Sequence, residues 1–122
     1  MHNGKSRRIR ADERRVIMTV KEWLKKTYNV EYGHYQTTRP RVYCKDGYNV
    51  SIQAGYGIYC TPRMNLKDGG YLTVELGFPS LEDELINKYA ECEDYTQTVY
   101  GYVPIEIVEE LIEKHGGFKP IN

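Results

Sequence analysis

The stretch Tyr43–Arg63, YCKDGYNVSIQAGYGIYCTPR, decides the fold class. Lys45-Asp46-Gly47 predicts a tight turn, because Asp-Gly supplies the positive φ that a hairpin needs. Beyond it, Tyr48, Val50 and Ile52 alternate with Asn49, Ser51 and Gln53, the period-two pattern of a half-buried strand. Ala54-Gly55-Tyr56-Gly57 interrupts that strand as a bulge or turn. Ile58-Tyr59-Cys60 is expected to resume it, and Thr61-Pro62 to end it.

Working outward, Thr19-Val20-Lys21-Glu22 is a capping box, with Met18 and Trp23 spaced for a hydrophobic staple. Val20, Trp23 and Leu24 mark the apolar face of a short helix ending near Tyr28. Val30–Gln36 and Arg41–Cys44 read as extended, and Leu72, Val74 and Leu76 alternate with Thr73 and Glu75 as a further strand. Ser80 is expected to cap a helix with Glu82, Asp83 and Glu84 in its first turn and Leu81, Leu85, Ile86 and Tyr89 facing inward. Thr98–Val103 reads as a strand, and Pro104 opens a last helix with Ile105, Val108, Leu111 and Ile112 as its stripe. The fold class that follows is α+β. A mostly antiparallel sheet of four to five strands carries an N-terminal helix and two C-terminal helices.

The 122 residues suffice for one domain, placed at 18–117, with 118–122 as a C-terminal tail. Residues 1–17 read as a disordered basic tail. Their Asp12–Ile17 segment also translates from a purine-rich ribosome-binding sequence two codons before Met18, so the expected natural start is Met18. No apolar run has the length of a membrane span, and the three cysteines, without a CxxC pair, point to a reducing bacterial cytoplasm.

Charge is strongly asymmetric: residues 1–74 are net basic, and residues 75–115 carry eleven acidic side chains against two basic ones. The 12 tyrosines suit half-buried strands and binding surfaces alike. These two features define the expected partner-binding set: Tyr56, Tyr59 and Arg63 as anchors, with Glu82, Asp83, Glu84, Glu91, Glu93 and Asp94 as the acidic surface. No catalytic motif is present and no catalytic residue is assigned. The expected cofactor is none. The alternative is a zinc-stabilised module using Cys44, Cys60 and His115, although knuckle-type ligand spacing is lacking. A third reading, nucleic-acid binding by the front half, rests on Lys21, Lys25, Lys26, Arg39, Arg41 and Arg63.

The segments Cys44–Tyr48, Tyr59–Arg63, Gly77–Ser80, Gly101–Pro104 and Lys114–Gly117 together resemble small uncharacterised proteins of phages and mobile elements in gut Firmicutes. The resemblance spans Met18 to Gly117 and carries no catalytic residues. It implies a setting in which small acidic proteins inhibit host defence, anti-CRISPR proteins among them. The expected function is therefore a non-enzymatic interaction protein that binds a host protein, specifically a CRISPR effector nuclease.

Overall fold

A computed structural model describes residues 18–120. The expected tail at 1–17 lies outside the described residues. The chain runs through α1 (Val20–Lys26), β1 (Val30–Glu31), β2 (Tyr35–Gln36), β3 (Val42–Tyr43), β4 (Asn49–Gln53), β5 (Thr73–Gly77), β6 (Val99–Pro104) and α2 (Ile105–Lys114). The α+β class holds: strands β3-β4-β5-β6 form one antiparallel sheet in that order, and β1 and β2 form a separate hairpin. Among the described residues no helix is long and apolar enough to cross a membrane.

Local chemistry accounts for most of these elements. The capping box of α1 is complete, with the Thr19 hydroxyl accepting the Glu22 N–H and the Glu22 carboxylate accepting the Thr19 N–H. Asp46 and Gly47 make the β3–β4 turn. Gly47 has φ 99°, the Asp46 carboxylate accepts the Tyr48 N–H at 2.9 Å, and the Gly47 N–H reaches the Cys44 carbonyl at 3.0 Å. In β4, Val50 and Ile52 are buried while Asn49, Ser51 and Gln53 are half-exposed, as a period of two requires. Val74, Leu76, Tyr100, Val103, Val108 and Leu111 complete the core between the sheet and α2.

Three expectations are corrected. The helix after Ser80 does not form: the described residues hold two α-helices, and only a 3₁₀ turn, Asn87–Tyr89, lies between β5 and β6. Asp83 is the cause. Its carboxylate captures the Leu85 N–H at 3.0 Å, an Asx turn that competes with helical bonding, and the Ile86 N–H then closes on the Asp83 carbonyl. Leu81, expected inward, is 63% exposed. Ile58-Tyr59-Cys60 does not resume a strand either, because the loop bonds to itself: Ile58 N–H to the Gly55 carbonyl and Cys60 N–H to the Ile58 carbonyl. Leu72 lies before β5 and is exposed, so only Val74 and Leu76 carry the buried face.

The segment expected as a C-terminal tail begins as part of the fold. Phe118 bridges Cys44, the Lys119 N–H reaches the Tyr43 carbonyl at 2.7 Å, and the Phe118 ring stacks on Trp23 at 6.3 Å. This short return covers the outer edge of β3, which limits pairing with other chains there.

Arg39 ties α1 to the sheet. It is 2% exposed, and its guanidinium donates to the Leu24 carbonyl at 3.2 Å, the Thr27 hydroxyl at 2.8 Å and the Ala54 carbonyl. The Gln53 side chain holds the Arg39 backbone from both sides, accepting its N–H at 2.9 Å and donating to its carbonyl at 3.0 Å. Nearby, Gly69 passes so close to α1 that a Cβ would lie 2.6 Å from the Lys21 carbonyl oxygen. Arg39→Ala leaves several buried acceptors unsatisfied and is expected to cost about 3 kcal/mol in urea unfolding. A loss below about 0.5 kcal/mol, the range of a neutral surface change, contradicts this role.

Candidate interaction surface

The loop Ala54–Arg63 is built around its own carbonyls. The Cys60 thiol sits between the Gly55 N–H at 3.3 Å and the Pro62 carbonyl at 3.3 Å, and the Asn65 carboxamide accepts the Tyr56 N–H at 2.8 Å. Arg63 returns across the loop to the Ile58 carbonyl at 3.0 Å and the Gly57 carbonyl at 3.2 Å. Its guanidinium then lies 5.2 Å from the centre of the Tyr59 ring, within cation–π range.

This frame presents two pairs of aromatic rings. Tyr35, on the β1–β2 hairpin, meets Tyr56 at 5.4 Å between ring centres, and Tyr59 meets Tyr102 at 5.9 Å. All four are exposed. Gly33, His34, Tyr56, Met64 and Asn65 line a shallow depression of about 270 Å³ beside the first pair. A larger cleft of about 480 Å³ opens beside Met18, between α2 and Phe118, away from these rings.

Tyr102 reaches Tyr59 because β6 carries a bulge. Val74 pairs with Val103 and Leu76 with Tyr100, so Glu75 alone opposes both Gly101 and Tyr102. Tyr102 takes φ 54° there, a left-handed conformation uncommon for a bulky residue, and its N–H bonds the Tyr59 carbonyl at 3.0 Å. The Glu75 carboxylate accepts the Tyr59 N–H at 3.1 Å. Tyr32, at the tip of the hairpin, is also left-handed (φ 56°) and 95% exposed.

The residues expected at the site divide. Tyr56, Tyr59 and Arg63 share the Ala54–Arg63 loop, with Tyr56 in one ring pair and Tyr59, beside Arg63, in the other. Glu82, Glu84, Glu91, Glu93 and Asp94 are exposed on the 81–97 loop rather than on a helix. Asp83 is withdrawn from that acidic surface: it is 5% exposed and bonds Lys114 Nζ at 3.1 Å and His115 Nε2 at 3.0 Å. Glu109 of α2 accepts the Val20 N–H at 2.8 Å and joins α2 to α1. Burial raises its proton affinity, against the effect of that hydrogen bond.

The sequence reading missed Tyr35 and Tyr102. Tyr35 arrives through hairpin folding and Tyr102 through the bulge, and the only signal of the latter is the Gly101-Tyr102 pair inside an otherwise regular strand.

Cys44 and Cys60 are free buried thiols, and Cys92 is free and exposed. Burial pushes the Cys44 thiol up to about 11, with Asp46 adding to the effect, and burial raises Cys60 as well. His115, the histidine of the zinc alternative, has each ring nitrogen against a carboxylate, Asp46 at 2.7 Å and Asp83 at 3.0 Å. Among the described residues no group of three His, Cys, Asp or Glu side chains is arranged to hold a metal ion. Of the six basic residues in the nucleic-acid reading, Arg39 and Arg63 are bonded to carbonyls as described. Arg41 bonds Asn49 Oδ1 at 2.7 Å and the Phe78 carbonyl, so only Lys21, Lys25 and Lys26 of the six extend from the α1 surface.

Comparison with known protein families, curated proteins and solved structures finds no match for this chain.

Tyr102→Gly removes the strain of the left-handed residue together with one ring of the Tyr59 pair. Stability is expected to stay level or to rise by up to about 1 kcal/mol in thermal unfolding. A loss of more than about 1 kcal/mol would make the Tyr59–Tyr102 contact a support of the fold rather than part of a presented surface.

Proposed function

We propose that this is a non-enzymatic interaction protein that engages a partner protein through the exposed ring pairs Tyr35–Tyr56 and Tyr59–Tyr102 together with Arg63. The observation that carries the reading is Tyr102, held left-handed on a bulge where its ring lines up with Tyr59 instead of relaxing into the strand. Tyrosine and arginine are the side chains most often found at interface hot spots, since each offers a rigid face with polar tips. The acidic loop supplies charge that speeds encounter with a basic partner and sets its register.

The setting implied by the phage and mobile-element resemblance makes the partner a CRISPR effector nuclease, whose guide and target channels are basic. Inhibition then consists of occupying a surface that nucleic acid would use. The direct nucleic-acid reading is weaker, because Arg39, Arg41 and Arg63 are engaged within the protein.

Plasmid-interference assays against type II effectors test the proposal. The expected result is plasmid survival with the parent protein and restored interference with Tyr59→Ser/Tyr102→Ser. Charge reversal at Glu82, Glu84, Glu91 and Glu93 is expected to slow association and flatten its salt dependence. Full interference in the presence of the parent protein, with no complex on gel filtration, overturns the proposal.

A further inference from the structure

His115 caps the C-terminus of α2 and joins three parts of the chain. Nδ1 lies 2.7 Å from Asp46 Oδ2 in the β3–β4 turn, and Nε2 lies 3.0 Å from Asp83 Oδ2 in the loop after β5. The ring stacks on Tyr48 at 3.9 Å with an interplanar angle of 7°. A neutral imidazole has one N–H, so only the imidazolium donates to both carboxylates; loss of a proton leaves a lone pair facing a carboxylate oxygen.

Asp83 ties down the start of the loop, whereas its later part is held by the buried Ile86 and by the Glu91 N–H on the Val99 carbonyl at 3.0 Å. Asp83 Oδ1 accepts the Leu85 N–H and Lys114 Nζ, and the Asp83 carbonyl accepts the Ile86 N–H. The 3₁₀ turn follows directly, with the Tyr89 N–H bonded to the Ile86 carbonyl. We propose that His115 is a proton-operated latch on the start of this segment, residues 81–86: the imidazolium holds it to the body through Asp83, and loss of one proton loosens it. The latch is independent of the partner proposed above, although Glu82 and Glu84 ride on the part it controls.

The charged and titratable groups around the ring come from every element packed there. Asp46 and Asp83 face its two nitrogens, Lys114 shares Asp83, Tyr48 covers one ring face, and Arg41 acts on Tyr48. Burial alone would lower the proton affinity of His115, but the hydrogen bonds to Asp46 and Asp83 outweigh it and raise the affinity. Asp46 is held low first by the Tyr48 N–H and then by His115. For Asp83, burial opposes ionisation, yet the Leu85 N–H, His115 and Lys114 together keep it low. A raised histidine stabilises the fold below its ordinary value of about 6.5 and loses that contribution as pH rises through the folded value. The lowered aspartates stabilise it above about 3.9 and lose theirs as pH falls through their folded values. The latch is therefore fully closed between these limits and opens on the alkaline side.

An NMR titration of His115 in the full chain, paired with amide hydrogen exchange of Leu85 and Ile86, tests the latch. His115 is expected to titrate above about 6.5 with both ring nitrogens protonated before the transition. Protection of the Leu85 and Ile86 amides, corrected for intrinsic exchange, is expected to fall about tenfold for each unit by which the midpoint is raised. Asp46→Asn, at an exposed position, is expected to lower the midpoint and to move the loosening to lower pH with it. A midpoint at or below the ordinary value, or protection that does not change across the midpoint, overturns the latch.

Discussion

The rest of the structure depends on a buried guanidinium that has no carboxylate partner among the described residues. Arg39 is held by carbonyl and hydroxyl oxygens: Leu24 and Thr27 at the end of α1, and Ala54 where β4 gives way to the loop. Burying a cation is unfavourable unless its donors are satisfied. Here one acceptor, the Leu24 carbonyl, lies at a helix C-terminus, the negative end of the helix dipole, and the Thr27 hydroxyl and the Ala54 carbonyl complete the set. Desolvation lowers the proton affinity of Arg39, with the nearby Tyr71 opposing that effect. One side chain therefore fixes the distance between a seven-residue helix and the start of the aromatic loop.

From that anchor the loop has little freedom. Ala54 is pinned by Arg39, Cys60 and Asn65 satisfy backbone N–H groups inside the turn, and Arg63 closes it through two carbonyls. The Tyr59 ring then has Arg63 at 5.2 Å and the Tyr102 ring at 5.9 Å from its centre. Rings displayed on such a frame lose little freedom on binding, the general advantage of a preorganised surface. The acidic residues stand on a different footing, on a segment with few regular backbone bonds, attached at its start through Asp83 and His115 and further along through the buried Ile86 and the Ala90–Tyr100 bridge.

Features governed by near neighbours were legible in the sequence. The Thr19–Glu22 capping box, the Asp46-Gly47 turn, the alternation of β4 and the stripe of α2 each depend on residues within a few positions. The helix expected after Ser80 failed for a long-range reason. Its carboxylates suit a helix N-terminus, but Asp83 is drawn inward by Lys114 and His115, 31 and 32 positions away, and its other contacts turn the chain. Arg39 was misread in the same way, as a free basic residue, because nothing local marks Leu24, Thr27 and Ala54 as its acceptors. At the candidate surface, Tyr56, Tyr59 and Arg63 stood out by residue type, as tyrosine and arginine anchors in one short stretch. Tyr35 and Tyr102 join them only through a hairpin and a bulge.

Arg39 and Arg63 fasten the Tyr56–Tyr59 loop to the sheet as a rigid, preorganised surface. Backbone ¹⁵N relaxation of residues 55–63 and 102 measures this directly. The account predicts order parameters near those of the sheet, about 0.85 on the usual scale. Values below about 0.6 across the loop would contradict it, because a loop that mobile holds no fixed set of rings.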